Sequence, residues 1–187
     1  MLRPLLHSDS TNYVSLDDPA IDWERSAEKF GALPEYAEWA KEQEKLRKEK
    51  LGANATTPRP VEYVIAQTVR RPSVTTELIF KDGEQPTVFV IGAIPPGERA
   101  RINDECQAKT RGIGDNHALR WRTFLACLRD IKNFSKEQLP KSKVEGVEFV
   151  SAEYLRKAFP FSHYNIALEV GYVAYIWNEL TNDDAKN

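Results

Sequence analysis

The sequence has few of the residues that build cross-linked scaffolds. Two of its 187 residues are cysteines, Cys106 and Cys127, and neither belongs to a Cys-x-x-Cys pair. A disulfide framework uses more cysteines than this, so that class of fold is excluded. Both cysteines lie in stretches with a helical pattern, and we therefore predict that they are buried free thiols.

Long apolar runs and a strong net charge are also lacking. No stretch approaches the roughly 18 apolar residues of a membrane span, and Pro4 interrupts the short apolar start, which lacks the core of a signal peptide. The net charge is only −2, which gives no overall attraction to nucleic acid or to anionic membranes. We expect an intracellular protein with no membrane partner and no strong nucleic-acid partner.

Motifs typical of catalysis or metal binding are missing as well. His7, His117 and His163 are scattered, and none has a second His or a Cys at metal-ligand spacing. Gly112-x-Gly114 follows a predicted helix and lacks the Gly-Lys-Ser/Thr ending of a phosphate loop, so it is interpreted as a helix C-cap. We predict no catalytic, cofactor-binding or metal-binding residue, no cofactor, and a protein that is not an enzyme.

The composition is nevertheless that of a globular protein. Hydrophobic residues make up 41% and charged residues 29%, enough to bury a core in a chain of about one domain. We divide the chain into an N-terminal arm, a charged helix and a linker at residues 1–60, and a core domain at residues 61–187. The predicted fold class is α+β.

The charged helix belongs to a helical pattern from about Trp23 to Leu51, in which Pro34 allows a break or a new start. Eight of the ten residues 41–50 are charged, with opposite charges three or four positions apart. The apolar stripe is thin and consists of Leu33, Tyr36, Trp39, Leu46 and Leu51. Such a helix either projects outward or lays one narrow face on another surface. Residues 52–60 are predicted to be a linker.

A small antiparallel sheet is predicted next. Val61–Val69, Thr75–Phe80 and Thr87–Ile94 are β-prone runs, and Asp82-Gly83 is a turn signal between the last two. Before them, residues 13–16 predict one short strand in an otherwise extended arm.

Helices follow the sheet and are expected to pack on it. The first is predicted at Glu98–Lys109, and the second begins at a cap on Asp115 or Asn116 and ends near Ile131. Residues 147–150 look strand-like, and Ser151 is predicted to cap a helix over Ala152–Phe159. The last helix is predicted at Ser162–Leu180, with a strong amphipathic stripe. The apolar stripes comprise Trp121, Phe124, Leu125, Leu128 and Ile131 in the second helix, and Ile166, Val170, Val173, Trp177 and Leu180 in the last.

Basic residues concentrate on the two middle helices and raise the alternative of a small DNA-binding regulator. Arginine beside an aromatic ring can hold phosphates and stack on a base. Acidic residues interleave with the basic ones, which favours an ordinary charged helix face instead. The basic set comprises Arg99, Arg101, Lys109, Arg111, Arg120, Arg122, Arg129 and Lys132, with Trp121 among them.

Two features together resemble a known family. The strand at residues 87–95, Thr-Val-Phe-Val-Ile-Gly-Ala-Ile-Pro, runs into a helix rich in Arg and Glu, after an arm that contains Asn12-Tyr13-Val14-Ser15 and Asp17-Asp18-Pro19-Ala20. The last helix closes on the acidic tail at residues 181–187. This arrangement is similar to the tail assembly chaperones, and related small tail-module proteins, of long-tailed bacteriophages. The charged helix at 35–51 departs from the compact members.

The resemblance implies a helper in the host cytoplasm that coats the tape-measure protein and recruits tail-tube subunits, without catalytic residues or cofactor. Such a protein docks through helices with aromatic anchors, and it can also form a homo-oligomer. The candidate partner-binding residues are Tyr172, Tyr175, Trp177, Trp39 and Tyr36. Trp177 has the alternative of filling the protein's own core, and Tyr172 and Tyr175 are expected to be exposed. The alternatives in function are a neck or tail-completion component of the virion, the DNA-binding regulator and, third, an enzyme.

Overall fold

The computed structural model describes residues 9–51, 56–68, 70–107, 117–135, 137–160 and 163–183. Within these ranges the fold is α+β, which confirms the predicted class. The elements are β1 (Ser10–Val14), α1 (Trp23–Gly31), α2 (Pro34–Leu51), α3 (Pro60–Thr68), a 3-10 helix (Pro72–Glu77), β2 (Val88–Gly92), α4 (Pro96–Gln107), α5 (His117–Cys127), β3 (Leu128–Lys132), β4 (Lys141–Val144), β5 (Val147–Val150), α6 (Ala152–Ala158) and α7 (Tyr164–Asp183).

The starts of several helices follow directly from the local sequence. The Asp22 side chain accepts a hydrogen bond from the Arg25 N–H at 3.1 Å and so caps α1. Pro34, Pro60 and Pro96 are each the first residue of a helix, where the absent N–H would lack an intrahelical partner anyway. The predicted break at Pro34 between two helices is confirmed.

A three-stranded antiparallel sheet in the order β1-β2-β3 lies at the centre of the fold. Tyr13 lies opposite Phe89, and Phe89 lies opposite Ile131. The strand expected at residues 13–16 is therefore present, shifted towards the N-terminus and placed at one edge of the sheet.

The sheet separates two hydrophobic cores, because successive side chains of a strand point to opposite faces. On one face Tyr13, Phe89 and Ile131 pack with α5, α6 and α7 in the C-terminal core. On the other face Val14 and Val88 pack with α1, α3 and the 3-10 helix in the N-terminal core. The two neighbouring residues of β1, Tyr13 and Val14, thus belong to different cores, and both are fully buried.

The predicted sheet at residues 61–94 is wrong in two of its three strands. The run at 61–69 forms α3 up to Thr68, and the run at 75–80 enters the 3-10 helix. Tyr63, Val64 and Thr68 are buried while Ile65 is 47% exposed. That spacing is helical, because a strand would bury alternate residues. The packing of this segment therefore overrides the β propensity of its residues. The turn at Asp82-Gly83 is present, with a Gly83 φ of +80°, but no pair of strands flanks it.

The second middle helix was predicted to continue to Ile131, and this is also wrong. The helix α5 ends at Cys127, and β3 begins at Leu128. A bulge shifts the register, so that Val90 faces Asp130 and Ile91 faces Leu128. The extra residue lets Leu128 and Ile131 both enter the C-terminal core although they are three positions apart, a spacing that a regular strand does not allow. A bulged strand therefore has the same apolar spacing as a helix.

The C-terminal predictions agree more closely with the structure. The strand at 147–150 is confirmed and pairs with β4, which was not predicted. Glu145 (φ 50°) and Gly146 (φ 81°) form the tight turn between them. Ser151 precedes α6 as expected, but its side chain makes no capping hydrogen bond. Ser162, the break at 110–114, the cap at 115–116 and linker residues 52–55 lie outside the described residues.

Cys106 and Cys127 are buried thiols that form no disulfide, as predicted. Burial also raises the pKa of the Cys127 thiol above its ordinary value. Across the described part of the chain, every helix is too short or too polar to span a bilayer.

Candidate functional site

The charged helix α2 lies on α3 through an aromatic cluster. The Trp39 and Tyr36 rings lie 5.4 and 5.9 Å from the Tyr63 ring, and the Tyr36 hydroxyl donates to the Pro58 carbonyl at 2.7 Å. The second of the two expected arrangements, one narrow face laid on another surface, is therefore observed. Tyr36 and Trp39 remain partly exposed, and Tyr63 is buried.

Beyond this cluster, the C-terminal half of α2 is largely exposed. Arg47 pairs with Glu62 of α3, and the Arg59 backbone N–H, together with Arg47, holds the Glu62 pKa below its usual value. Leu46, about two turns past Trp39, is 41% exposed. We call the exposed part of α2 at residues 41–50 the α2 surface. It presents Leu46 among charged side chains.

The candidate residues of α7 are more deeply placed than expected. Tyr175 is 8% exposed and packs with Ile102, Cys106 and Leu119, so the prediction that it is exposed is wrong. Tyr172 is partly exposed and lies under the Arg120 guanidinium, 4.6 Å from the ring centroid. Tyr172 and Tyr175 therefore hold α7 against α4 and α5 of the same protein.

Trp177 is partly buried against the C-terminal core. Its position agrees with the alternative in which Trp177 completes the protein's own core. Among the five candidate residues, Tyr36 and Trp39 thus form one cluster, while Tyr172, Tyr175 and Trp177 lie on α7, and no described contact brings the two groups together.

The arginines of the middle helices are engaged within the protein. Arg101 bonds Glu98 and Glu105, and Arg122 pairs with the same Glu105. Arg99 pairs with Glu179 of α7 at 3.5 Å. Nucleic-acid phosphate would have to displace these carboxylates, which lowers the gain from each contact. Lys109 and Arg111 lie outside the described residues.

Arg129 is likewise held, although by the backbone and an aromatic ring. Its guanidinium lies 4.1 Å from the Phe149 ring centroid and donates to the carbonyls of Ala93 and Glu148. This arginine joins β3, β5 and the segment after β2. Its role is structural.

A carboxylate on α7 ties the N-terminal segment to the rest of the fold. Glu169 accepts hydrogen bonds from the Tyr13 hydroxyl at 2.5 Å, the Ser15 hydroxyl at 2.6 Å and the Leu16 N–H at 2.8 Å. We call this set the Glu169 hub. Burial, and to a lesser degree the Glu169 charge, raises the Tyr13 pKa well above its ordinary value of 10.0.

The raised pKa of Tyr13 predicts a loss of stability at alkaline pH. Above pH 10 an unfolded tyrosine loses its proton while folded Tyr13 keeps it, so unfolding releases a proton and stability falls as pH rises. Below pH 10 the contribution is fully present. We expect Tyr13→Phe to reduce the fall between pH 9 and pH 11 by about 1.4 kcal/mol, measured by urea unfolding at each pH. Equal falls for the two proteins would contradict this account.

A cleft of about 200 Å³ opens beside the hub, and no local sequence pattern indicated it. Its apolar walls are Phe89, Phe134, Phe159 and Ile166, and Asp18 and His163 contribute polar groups. The Phe134 and Phe159 rings stack at 5.1 Å with an interplanar angle of 9°, yet Phe134 is 37% exposed. One ring face of Phe134 is therefore accessible to solvent.

Ser15, Asp18 and His163 share this cleft and are the residue types of a hydrolytic triad. The hydrogen bonds of Ser15 and Asp18 are not those of a triad. The Ser15 hydroxyl donates to Glu169, and the two Asp18 oxygens accept the N–H groups of Ala20 and Thr87, each at 2.9 Å. The His163 ring is nearly perpendicular to the Phe159 ring, and the two ring centroids lie 6.5 Å apart. The described residues also contain no group of three His, Cys, Asp or Glu side chains placed to hold a metal ion.

Comparison with protein-family models, with curated proteins and with solved structures finds no match. The function is therefore inferred from this chain's own residues and geometry.

Proposed function

We propose that the protein is a bacteriophage tail assembly chaperone, or a closely related tail-module protein, that binds other tail proteins through helical surfaces. The α2 surface supports this proposal most directly. Tyr36 and Trp39 hold the helix on α3, while Leu46 and the charged residues after Trp39 are presented to solvent. A helix that presents one large exposed apolar side chain and charges of both signs is suited to packing beside a partner helix.

The engaged arginines favour protein contact over the DNA-binding alternative. Arg99, Arg101 and Arg122 each pair with a glutamate of this chain. A nucleic-acid surface would instead need cations that release counterions from phosphates on binding. Binding to duplex DNA is therefore expected to be weak and to lack a steep dependence on salt.

The proposal predicts that Leu46→Glu weakens binding to the tape-measure or tail-tube protein of the same phage. A charge placed in the centre of an apolar contact is expected to raise Kd at least tenfold, or about 1.4 kcal/mol. Because Leu46 is exposed, the fold should be retained. Kd is measured by titration of each purified partner, and Ile65→Glu is the matched control, since Ile65 of α3 is 47% exposed but lies outside both the α2 surface and the cleft.

Two outcomes would contradict the proposal. If neither partner binds the unmodified chain, or if both variants bind as the wild type does, the α2 surface has no role in tail assembly. If mass spectrometry of purified virions finds the chain at structural stoichiometry, the neck or tail-completion alternative is favoured over a chaperone that leaves the particle.

A further inference from the structure

The cleft beside the Glu169 hub is too small for a typical cofactor or drug-sized ligand. Such pockets measure roughly 300–1,000 Å³, whereas this cleft measures about 200 Å³. That volume accommodates one long side chain. A single residue presented by a longer molecule is therefore the kind of occupant that fits this volume.

Two features of the lining define the chemistry of that residue. Phe134 offers an accessible aromatic face backed by Phe159, and a planar cation gains from lying on such a face. Asp18 provides a carboxylate in the same cleft. A carboxylate offers about four lone-pair sites, and the Ala20 and Thr87 N–H groups use two of them.

The charges around the cleft are consistent with a cationic occupant. Asp18 is next to Asp17 in sequence, and the Glu169 carboxylate lies one hydrogen bond from Ser15 in the lining. Two groups act in the opposite direction. Lys81 lies nearby, with its ammonium on the Pro19 carbonyl at 2.6 Å, and His163 is part of the lining.

We infer that the cleft binds an arginine side chain presented by a partner protein, with its guanidinium on Phe134 and paired with Asp18. Arginine fits better than lysine because its planar guanidinium can stack on a ring and bond a carboxylate at the same time. The protein places Arg120 on Tyr172 and Arg129 on Phe149 in the same way. This inference concerns a different surface from α2 and does not rest on the tail-assembly role.

Backbone NMR of the full-length ¹⁵N-labelled chain tests the inference with four capped tripeptides, Gly-X-Gly, in which X is arginine, citrulline, lysine or phenylalanine. Citrulline keeps the shape of arginine and removes its charge. The arginine peptide is expected to shift the amides of Ala20 and Thr87 in a saturable way, with Kd of about 1–10 mM. The citrulline peptide should bind at least tenfold more weakly, and the lysine peptide several-fold more weakly.

Two variants locate the binding. Phe134→Ala should weaken binding of the arginine peptide at least fivefold, while Ile65→Ala, which truncates an exposed apolar side chain on α3, should not change it. Asp18→Asn should weaken it at least tenfold. The Asp18 carboxylate also accepts hydrogen bonds from two backbone N–H groups, so the thermal unfolding of the Asp18→Asn variant is measured as well. If that variant is unfolded, the peptide series and Phe134→Ala decide whether the cleft binds arginine.

Three outcomes would overturn the inference. Saturable shifts with the phenylalanine peptide but not the arginine peptide would assign an apolar occupant. Equal binding of the arginine and lysine peptides, unaffected by Phe134→Ala, would reduce the effect to general charge attraction. An absence of shifts at the cleft with the arginine peptide at about 20 mM would leave no arginine site there.

Discussion

Replacing Gly171 with alanine is expected to destabilise the protein by about 3 kcal/mol or more. Gly171 lies at the crossing of α7 and α5, where a Cβ atom would overlap the Arg120 carbonyl oxygen, lie 2.8 Å from its carbon and lie 3.2 Å from the Phe124 nitrogen. These are backbone atoms, which cannot rotate away. The helices must separate, and Val170 and Ala174, both fully buried, would lose contacts as they do.

The sign of this result is informative because alanine is the better helix former. In an exposed helix interior, Gly→Ala stabilises the protein by about 1 kcal/mol. A net loss of stability at Gly171 therefore measures the cost of forcing α5 and α7 apart. Gly97→Ala in the first turn of α4 is the matched control. Its Cβ would meet the Glu145 carboxylate, the far end of a flexible side chain, so Gly97→Ala is expected to be neutral or slightly stabilising.

Urea unfolding of the two alanine variants provides the measurement. The m value should be unchanged if both remain two-state, so the shift in midpoint reports stability. Comparable stability of the Gly171 and Gly97 variants would mean that α5 and α7 cross with more space than the structure shows.

The second large effect is expected at the Glu169 hub. Glu169→Ala removes the acceptor of three hydrogen bonds and leaves the buried Tyr13 and Ser15 hydroxyls and the Leu16 N–H without it. An unsatisfied buried donor costs about 1–3 kcal/mol, so we expect a loss of about 4 kcal/mol once water reaches part of the site. Glu169→Gln keeps one acceptor oxygen, and about half of that loss is expected.

A double-mutant cycle separates the Tyr13 bond from the rest of the hub. Tyr13→Phe removes the hydroxyl without opening a cavity and is expected to cost about 1.5 kcal/mol, as for a hydrogen bond to a charged acceptor. In the Glu169→Ala background the same change should cost little, which gives a coupling energy of about 1–2 kcal/mol. Strict additivity would show that the hydroxyl and the carboxylate contribute independently.

Most of the helices were predictable from sequence because their signals are local, whereas α3 was predicted as a strand. Pro34 separates α1 from α2, and the Ile166, Val170 and Val173 stripe of α7 repeats within one element. The buried cysteines follow from the same helical patterns. The sheet was not predictable in this way, because its strands come from three distant segments and β3 contains a bulge that mimics helical spacing.

The candidate surfaces were predictable only in part. Tyr36 and Trp39 were identified because an aromatic residue in a charged helix is conspicuous within a few residues of sequence. The cleft brings together Asp18, Phe134 and His163, which are far apart in the chain, so no local pattern could indicate it. Tyr175 was misplaced for a similar reason, since its neighbours Ile102 and Leu119 belong to other helices.

The position of β1 has a consequence for synthesis on the ribosome. Ser10 pairs with Gly92, and β2 pairs in turn with β3 at residues 128–132. At about 5–20 residues per second, the first strand is made roughly 4–16 seconds before its partner. During that interval Tyr13 and Val14 have no sheet to join. The N-terminal core cannot close before Val88 is made, and the C-terminal core cannot close before Ala174 is made, when synthesis is nearly finished.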